Sequence, residues 1–170
     1  MTFELLMEAG LSGISVDEVS NRSGVAKTTI YRHWPCRAAL LLDACSKLGA
    51  KLDTPDTGNL TIDMLEVASA IVARLRSNNF SSVVPSIIDA AERDSQFAEL
   101  YSNIHAETLA PLVAVIEQAK RRKELPPNCV PSELVASVLG PLFYRRWFSR
   151  EPLDERYVEG VVTRAIAGAK

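Results

Sequence analysis

The segment from Ser15 to Trp34, SVDEVSNRSGVAKTTIYRHW, constrains the fold more than any other stretch of the chain. Ser15 followed three residues later by Glu18 forms a capping box, which predicts a helix that begins at about Val16. Gly24 predicts the turn that ends this helix, because a residue without Cβ takes a left-handed conformation at little cost. The polar and apolar residues that follow predict a second short helix after the turn.

A small apolar core is expected to hold these two helices at a fixed angle. Val16 and Val19 share one face of the first helix, and we expect Val25 and Ile30 to point back to them. This packing leaves a polar set on or near the outside of the second helix: Lys27, Thr28, Thr29, Tyr31, Arg32 and His33. Such a surface favours a helix-turn-helix that binds DNA. The alternative is a three-helix packing unit with no role in DNA binding.

The same segment resembles a known family. GVAKTTIYRHWPCRAALL resembles the signature of the TetR family of bacterial transcription regulators, and FELLMEAGLSGISVDEVSNRS resembles the family's first helix and the opening of its second. Ala26, Cys36 and the pair Arg37-Ala38 depart from the usual residues. Ala26 lacks an N-cap hydroxyl, which is worth roughly 1 kcal/mol. Family members also begin with a basic arm and a full first helix, so the resemblance implies an N-terminally shortened member.

The resemblance implies a DNA-binding transcription regulator, a repressor that a small-molecule effector releases from double-stranded DNA. Acting as a homodimer, it would bind a near-palindromic operator. Thr28 and Thr29 would face base edges, the other charged and aromatic neighbours would hold phosphates, and Arg32 could do either. The residues expected at DNA are Ser15, Lys27, Thr28, Thr29, Tyr31, Arg32, His33 and Arg37.

The charge balance leaves an alternative open. The formal net charge is −2, and residues 15 to 40 hold four basic against two acidic side chains, a local surplus of only two positive charges. DNA affinity follows the number of phosphates that the protein neutralises. The alternative function is therefore a dimeric helical ligand-binding or interaction module without effective DNA binding.

Composition and motifs exclude several other classes of protein. No apolar run approaches the roughly 18 residues of a membrane span, and the N-terminus lacks the basic stretch of a signal peptide, so we expect a cytoplasmic protein. The three cysteines form no CxxC pair. With only His33 and His105, the chain offers no imidazole-rich metal site, and no phosphate-binding or nucleophile motif occurs. We expect no cofactor, no metal and no enzyme activity.

Helical apolar spacing continues to the end of the chain and predicts an all-α fold with two domains. The polar segment from Asp53 to Gly58 is the best candidate boundary. It divides the chain into a helix-turn-helix DNA-binding domain at 1–52 and a larger helical ligand-binding and dimerisation domain at 59–170. Pro111 lies inside one long apolar stripe and should kink or split that helix.

The last two predicted helices carry more apolar residues than the surface of a monomer needs. In the family that the chain resembles, these helices pair with their copies in a four-helix bundle across a two-fold axis. The alternative is that both helices cover the core of their own subunit. The residues expected at a dimer interface are Leu134, Val138, Leu142, Phe143, Trp147, Val158, Val162 and Ile166.

A candidate effector site lies on the long central helix. Tyr101 and His105 are four residues apart and share one face, which Phe97 and Leu109 extend. His105 is the only imidazole of the larger domain and is a candidate polar contact for a ligand. The alternative is that Tyr101 and His105 lie partly exposed and bond to water or to a carboxylate.

Overall fold

The computed structural model describes residues 2–10, 14–46 and 52–169, and within these ranges all regular structure is helical. The all-α fold class is therefore confirmed. None of the helices formed by these residues is both long and apolar enough to cross a membrane. The helices are α1 (Thr2–Ala9), α2 (Val16–Ser23), α3 (Lys27–His33), α4 (Arg37–Ser46), α5 (Leu60–Arg76), α6 (Asn78–Ala91), α7 (Ser95–Arg121), α8 (Pro131–Tyr144) and α9 (Glu155–Gly168), with a π-helical turn at Arg145–Ser149.

Local capping chemistry sets several helix ends. Helix α8 has Pro131 at its first position, where the missing N–H costs no helical hydrogen bond. Helix α9 begins after Asp154, whose carboxylate accepts from the backbone N–H of Tyr157 at 2.8 Å. Helix α7 runs without a break through Pro111, so the proline does not split it. One lost backbone donor is tolerated in a helix of 27 residues.

The chain forms two compact units. The first unit contains Met1–Ala50 and Ser77–Ala106, and the second contains Lys51–Arg76 and Glu107–Lys170. Helix α7 therefore contributes its first part to one unit and its last part to the other. The division into domains 1–52 and 59–170 stays a prediction, because compact packing and functional domains are different properties.

A single apolar cluster forms the core of the first unit. Helix α1 packs on α4 and α6, and α2 packs on α3. The buried members of the cluster are Leu5, Ile14, Val16, Val19, Ile30, Leu40, Leu41, Ala44, Cys45, Val83, Ile87 and Phe97. Residues from α6 and α7 therefore support the helix-turn-helix from behind.

In the second unit, α9 packs against α5 and α8. Six of the eight residues expected at a dimer interface lie in the core of this unit: Leu134, Val138, Leu142, Val158, Val162 and Ile166. Val138, Leu142 and Val162 have no exposed surface at all, so they have no area to give to a partner. The assignment of these six side chains to a dimer interface stays a prediction. Phe143 and Trp147 are half-buried, with ring centroids 5.1 Å apart.

A polar clamp ties the start of α5 to the end of α7. Asp63 is fully buried, and its carboxylate accepts from the backbone N–H and the hydroxyl of Thr57 at 2.9 and 2.7 Å. The Arg122 guanidinium lies 3.5 Å from the other Asp63 oxygen, 2.9 Å from Asp56 and 2.6 Å from Glu124. Glu124 also accepts from the backbone N–H of Leu60 at 2.8 Å. All three carboxylates therefore lie near the positive charge of Arg122. Asp63 and Glu124 also accept hydrogen bonds from backbone N–H groups.

Candidate nucleic-acid interface

The N-terminus of α2 has the capping geometry that the sequence predicts. Ser15 lies in extended backbone, and its hydroxyl oxygen accepts from the backbone N–H of Glu18 at 3.0 Å. Helix α2 then begins at Val16, and both Val16 and Val19 are buried. The predicted helix start and the N-cap role of Ser15 are confirmed, and the Glu18 carboxylate accepts from the Arg22 Nε at 2.7 Å.

The turn between α2 and α3 is confirmed at Gly24, but its packing differs from the prediction. Gly24 has φ +70°, and its N–H donates to the Ser20 carbonyl at 2.9 Å. Val25 is 40% exposed, so the expectation that it packs on Val16 and Val19 is wrong. The hydroxyl of Ser20 instead donates to the Val25 carbonyl at 2.7 Å, which holds the turn without burying the valine side chain.

Helix α3 presents its polar side chains to solvent because one apolar residue anchors it. Ile30 is 3% exposed and belongs to the core of the first unit. Ala26 occupies the N-cap position and makes no side-chain cap hydrogen bond, as the sequence predicts. The exposed predicted residues of α3 are Lys27, Thr28, Tyr31, Arg32 and His33, and Thr29 is half-buried. The structure thus brings six of the eight predicted DNA-binding residues onto one seven-residue helix.

The remaining predicted residues lie beside that helix. Ser15 is exposed at the start of α2. Arg37 begins α4, and its Nε donates to the Ile14 carbonyl at 2.5 Å. Arg37 therefore ties α4 to the segment that enters α2, a structural role that the sequence did not indicate. The sequence also gave no indication of the role of Trp34. It packs on the core, and its ring centroid lies 5.7 Å from that of His33.

Carboxylates of the same unit pair with two basic side chains of the helix-turn-helix. The Lys27 ammonium lies 2.6 Å from Asp17, on the first turn of α2. The Arg22 guanidinium binds Glu8 at 2.5 Å and Glu18 at 2.7 Å. Hydrogen bonds from Arg22 to Glu8, and then to Glu18, raise the pKa of Arg22 above its ordinary value. The two acidic side chains counted against the positive charge of residues 15–40, Asp17 and Glu18, are thus the ones that pair with Lys27 and Arg22, and Glu8 adds a third carboxylate.

The four residues of the predicted effector site differ in burial. Phe97 is buried in the core of the first unit, Tyr101 packs on that core, and Leu109 is half-buried. His105 is exposed, and its ring stacks on Tyr101 with centroids 5.6 Å apart. Phe97 also lines a cleft of about 450 Å³ in the first unit, together with Leu41 of α4. The effector assignment of these four residues stays a prediction.

Two family models match the chain. Residues 1–44 match that of the bacterial regulatory proteins of the tetR family. Residues 54–165 match that of the tetracyclin repressor-like C-terminal domain. The chain belongs to the TetR family. It is a helix-turn-helix transcription regulator, and the family is one of regulators rather than enzymes.

Individual TetR-family relatives are similar along almost the whole chain. The HTH-type transcriptional regulator YdeS of Bacillus subtilis is 28% identical, over 99% of this chain and 85% of its own length. The DNA-binding transcriptional repressor TetR of Mycobacteroides abscessus is 25% identical, over 95% of this chain and 86% of its own length. The crystal structure of the TetR-family regulator SCO0332 superposes with a TM-score of 0.71 at 28% identity, over 99% of this chain and 93% of that one.

Proposed function

We propose that this TetR-family protein is a homodimeric repressor that binds a near-palindromic operator through α3 and is released by a small-molecule effector. The observation that carries the DNA-binding part is the polar face of α3, which is turned outward because Ile30 is buried. The similarity to the DNA-binding transcriptional repressor TetR of Mycobacteroides abscessus supports repression. The cytoplasm is the compartment in which such a protein meets bacterial DNA.

The side chains of α3 divide into two proposed roles. Thr28 and Thr29 contact base edges, because a threonine methyl packs on thymine and its hydroxyl bonds either donors or acceptors. Tyr31 and His33 contact phosphates, which set register without reading sequence. Arg32 is long enough to reach either a guanine edge or a phosphate.

Two residues next to this face, Ser15 and Arg37, are proposed as phosphate contacts that also have a structural role, and Lys27 at the start of α3 is paired with Asp17. Ser15 accepts from Glu18 and still has its hydroxyl hydrogen to donate to a phosphate. Arg37 donates through Nε to the Ile14 carbonyl, so its side chain would hold α4 to the segment before α2 as well as contact a phosphate. Lys27 reaches a phosphate only by leaving Asp17.

Operator binding can be tested on selected genomic fragments with matched variants. Recognition helices of the dimer must enter successive major grooves about 34–36 Å apart, so the selected site should be a near-palindrome. Arg32→Ala and Thr29→Ala should reduce discrimination between the operator and its point variants, by about 1–3 kcal/mol for a full base contact. Arg93→Ala, an exposed cation that pairs with Asp89 after α6, is the control and should bind as wild type. Equal operator preference in all four proteins would contradict the assignment.

The dimer is proposed to use the exposed faces of α8 and α9 rather than their buried residues. Ala136, Gly140 and Tyr144 follow one another at four-residue spacing on α8 and are exposed, and small residues let helices approach closely. A Cβ added at Gly140 would meet no atom within 4 Å of the same chain, so Gly140→Glu should leave the subunit folded. Sedimentation should show that Gly140→Glu shifts the protein to monomer, whereas Arg121→Glu does not. Wild-type protein that is monomeric at micromolar concentration would contradict the dimer.

The effector site is expected in the helical region that matches the tetracyclin repressor-like C-terminal domain, with His105 as a polar contact. A thermal-shift screen of small molecules on wild type and His105→Ala tests that contact. Ligands that stabilise both proteins equally would remove His105 from the site.

A further inference from the structure

Pairing of charges on the helix-turn-helix has a consequence for DNA affinity. Residues 14–40 contain the basic side chains Arg22, Lys27, Arg32 and Arg37. Arg22 is enclosed by two carboxylates, Glu8 and Glu18. Lys27 is different, because it lies on α3 itself and a single carboxylate neutralises it.

The geometry of that pair places an acid at the DNA-facing side of the motif. Lys27 is the first residue of α3, and Asp17 lies in the first turn of α2, where the helix dipole favours a carboxylate. Their side chains are 51% and 67% exposed, so both charges are accessible to a ligand. A DNA phosphate that binds Lys27 must displace the Asp17 carboxylate and then face its negative charge.

We propose that Asp17 limits the affinity of this protein for DNA by holding the Lys27 ammonium away from the phosphates. The inference rests on the proposed binding of DNA by α3. In the wild-type protein Lys27 then releases no counterion when DNA binds, although it lies on the binding face. Asp17 is a positioning residue in this account, since it acts on DNA through Lys27.

The dependence of affinity on salt measures the number of phosphates that are neutralised. Each phosphate contact contributes about −0.9 to the slope of log K against log salt. Asp17→Asn should therefore steepen the slope by about 0.9, which is an additional loss of about 3.5-fold between 50 and 200 mM salt. Lys27→Ala should keep the wild-type slope, and Asp17→Asn combined with Lys27→Ala should return to it.

The measurement uses the full chain and a fluorescent duplex at several salt concentrations, with circular dichroism to verify folding. Asp89→Asn is the matched control, because it removes one negative charge from an exposed ion pair of the same unit, with Arg93 on the next turn. The control should keep the wild-type slope. If the change in slope reflected net charge alone, Asp89→Asn would steepen the slope of log K against log salt as much as Asp17→Asn does.

Three results would overturn the inference while DNA binding itself stands. These are a wild-type slope for Asp17→Asn, a slope reduced by about 0.9 in Lys27→Ala alone, and equal steepening in Asp89→Asn. The second result would mean that Lys27 already contacts a phosphate in the wild type. Absence of binding by the wild-type protein to every genomic fragment would instead overturn the proposed function, and this inference with it.

Discussion

Removal of the buried carboxylate of the clamp in the second unit should destabilise the protein strongly. Asp63 is 0% exposed, and one of its oxygens accepts two hydrogen bonds from Thr57 at 2.9 and 2.7 Å. In Asp63→Ala both Thr57 donors and the nearby Arg122 guanidinium lose this acceptor. Hydrogen bonds to a charged group are worth about 1.5–3 kcal/mol each, and loss of one partner of a buried pair costs about 3–5 kcal/mol. We expect the free energy of unfolding to fall by about 3–5 kcal/mol. The two figures are not added, because they describe the same contacts.

Asp56 provides the matched control for this prediction. It binds the same guanidinium at 2.9 Å, but its side chain is 60% exposed. Asp56→Ala should lower the free energy of unfolding by less than about 1 kcal/mol, because water screens an exposed ion pair and solvates the charge that loses its partner. Urea unfolding of both variants, with equal slopes in denaturant, measures the difference. Equal losses in the two variants, or a loss under about 1 kcal/mol for Asp63→Ala, would refute the argument from burial.

Three further predictions concern local chemistry. Ala26→Ser should supply the missing cap of α3 and raise the free energy of unfolding by about 1 kcal/mol in urea; no gain would mean that no cap hydrogen bond forms. Burial raises the pKa of Cys45 to about 12, so iodoacetamide should modify exposed Cys36 first in peptide maps, and equal labelling would contradict this. Burial raises the pKa of Glu124, but hydrogen bonds from Leu60 and Arg122 outweigh it and hold that pKa below 4.5. The stability that Glu124 contributes should be complete above that pH and fall as pH drops through the lower folded pKa, and a Glu124→Gln variant with the same acid dependence would contradict this.

The sequence predicted those features that depend on neighbours a few residues away. Ser15 with Glu18 predicted the start of α2, and Gly24 predicted the turn. Each of these signals is a hydrogen bond or a backbone angle within one helical turn. Resemblance to the family then supplied the function, because an exposed polar helix alone does not identify its ligand.

Long-range packing was harder to predict because a helical apolar stripe does not name its partner. Val138 and Val162 have the spacing of interface residues and of core residues alike, and the structure buries them in their own unit. Phe97 shares a face with Tyr101, yet it packs in the core of the helix-turn-helix unit. The pair of Asp17 and Lys27 joins two helices across a turn, and no periodic pattern connects residues at that separation.

Burial decides what the two charge networks of this protein can do. In the second unit, the Arg122 guanidinium lies 3.5 Å from the Asp63 carboxylate, which has no exposed surface, so water cannot readily replace this carboxylate when it is lost. In the helix-turn-helix, Lys27 and Asp17 are both more than half exposed, so water or a phosphate can replace either partner. An ion pair between a basic side chain and a carboxylate therefore stabilises the fold in the second unit, whereas the partners of the Lys27–Asp17 pair can be replaced. Loss of the Asp17 carboxylate would therefore leave the Lys27 ammonium accessible to water or to a phosphate, and no buried charge would lose its partner.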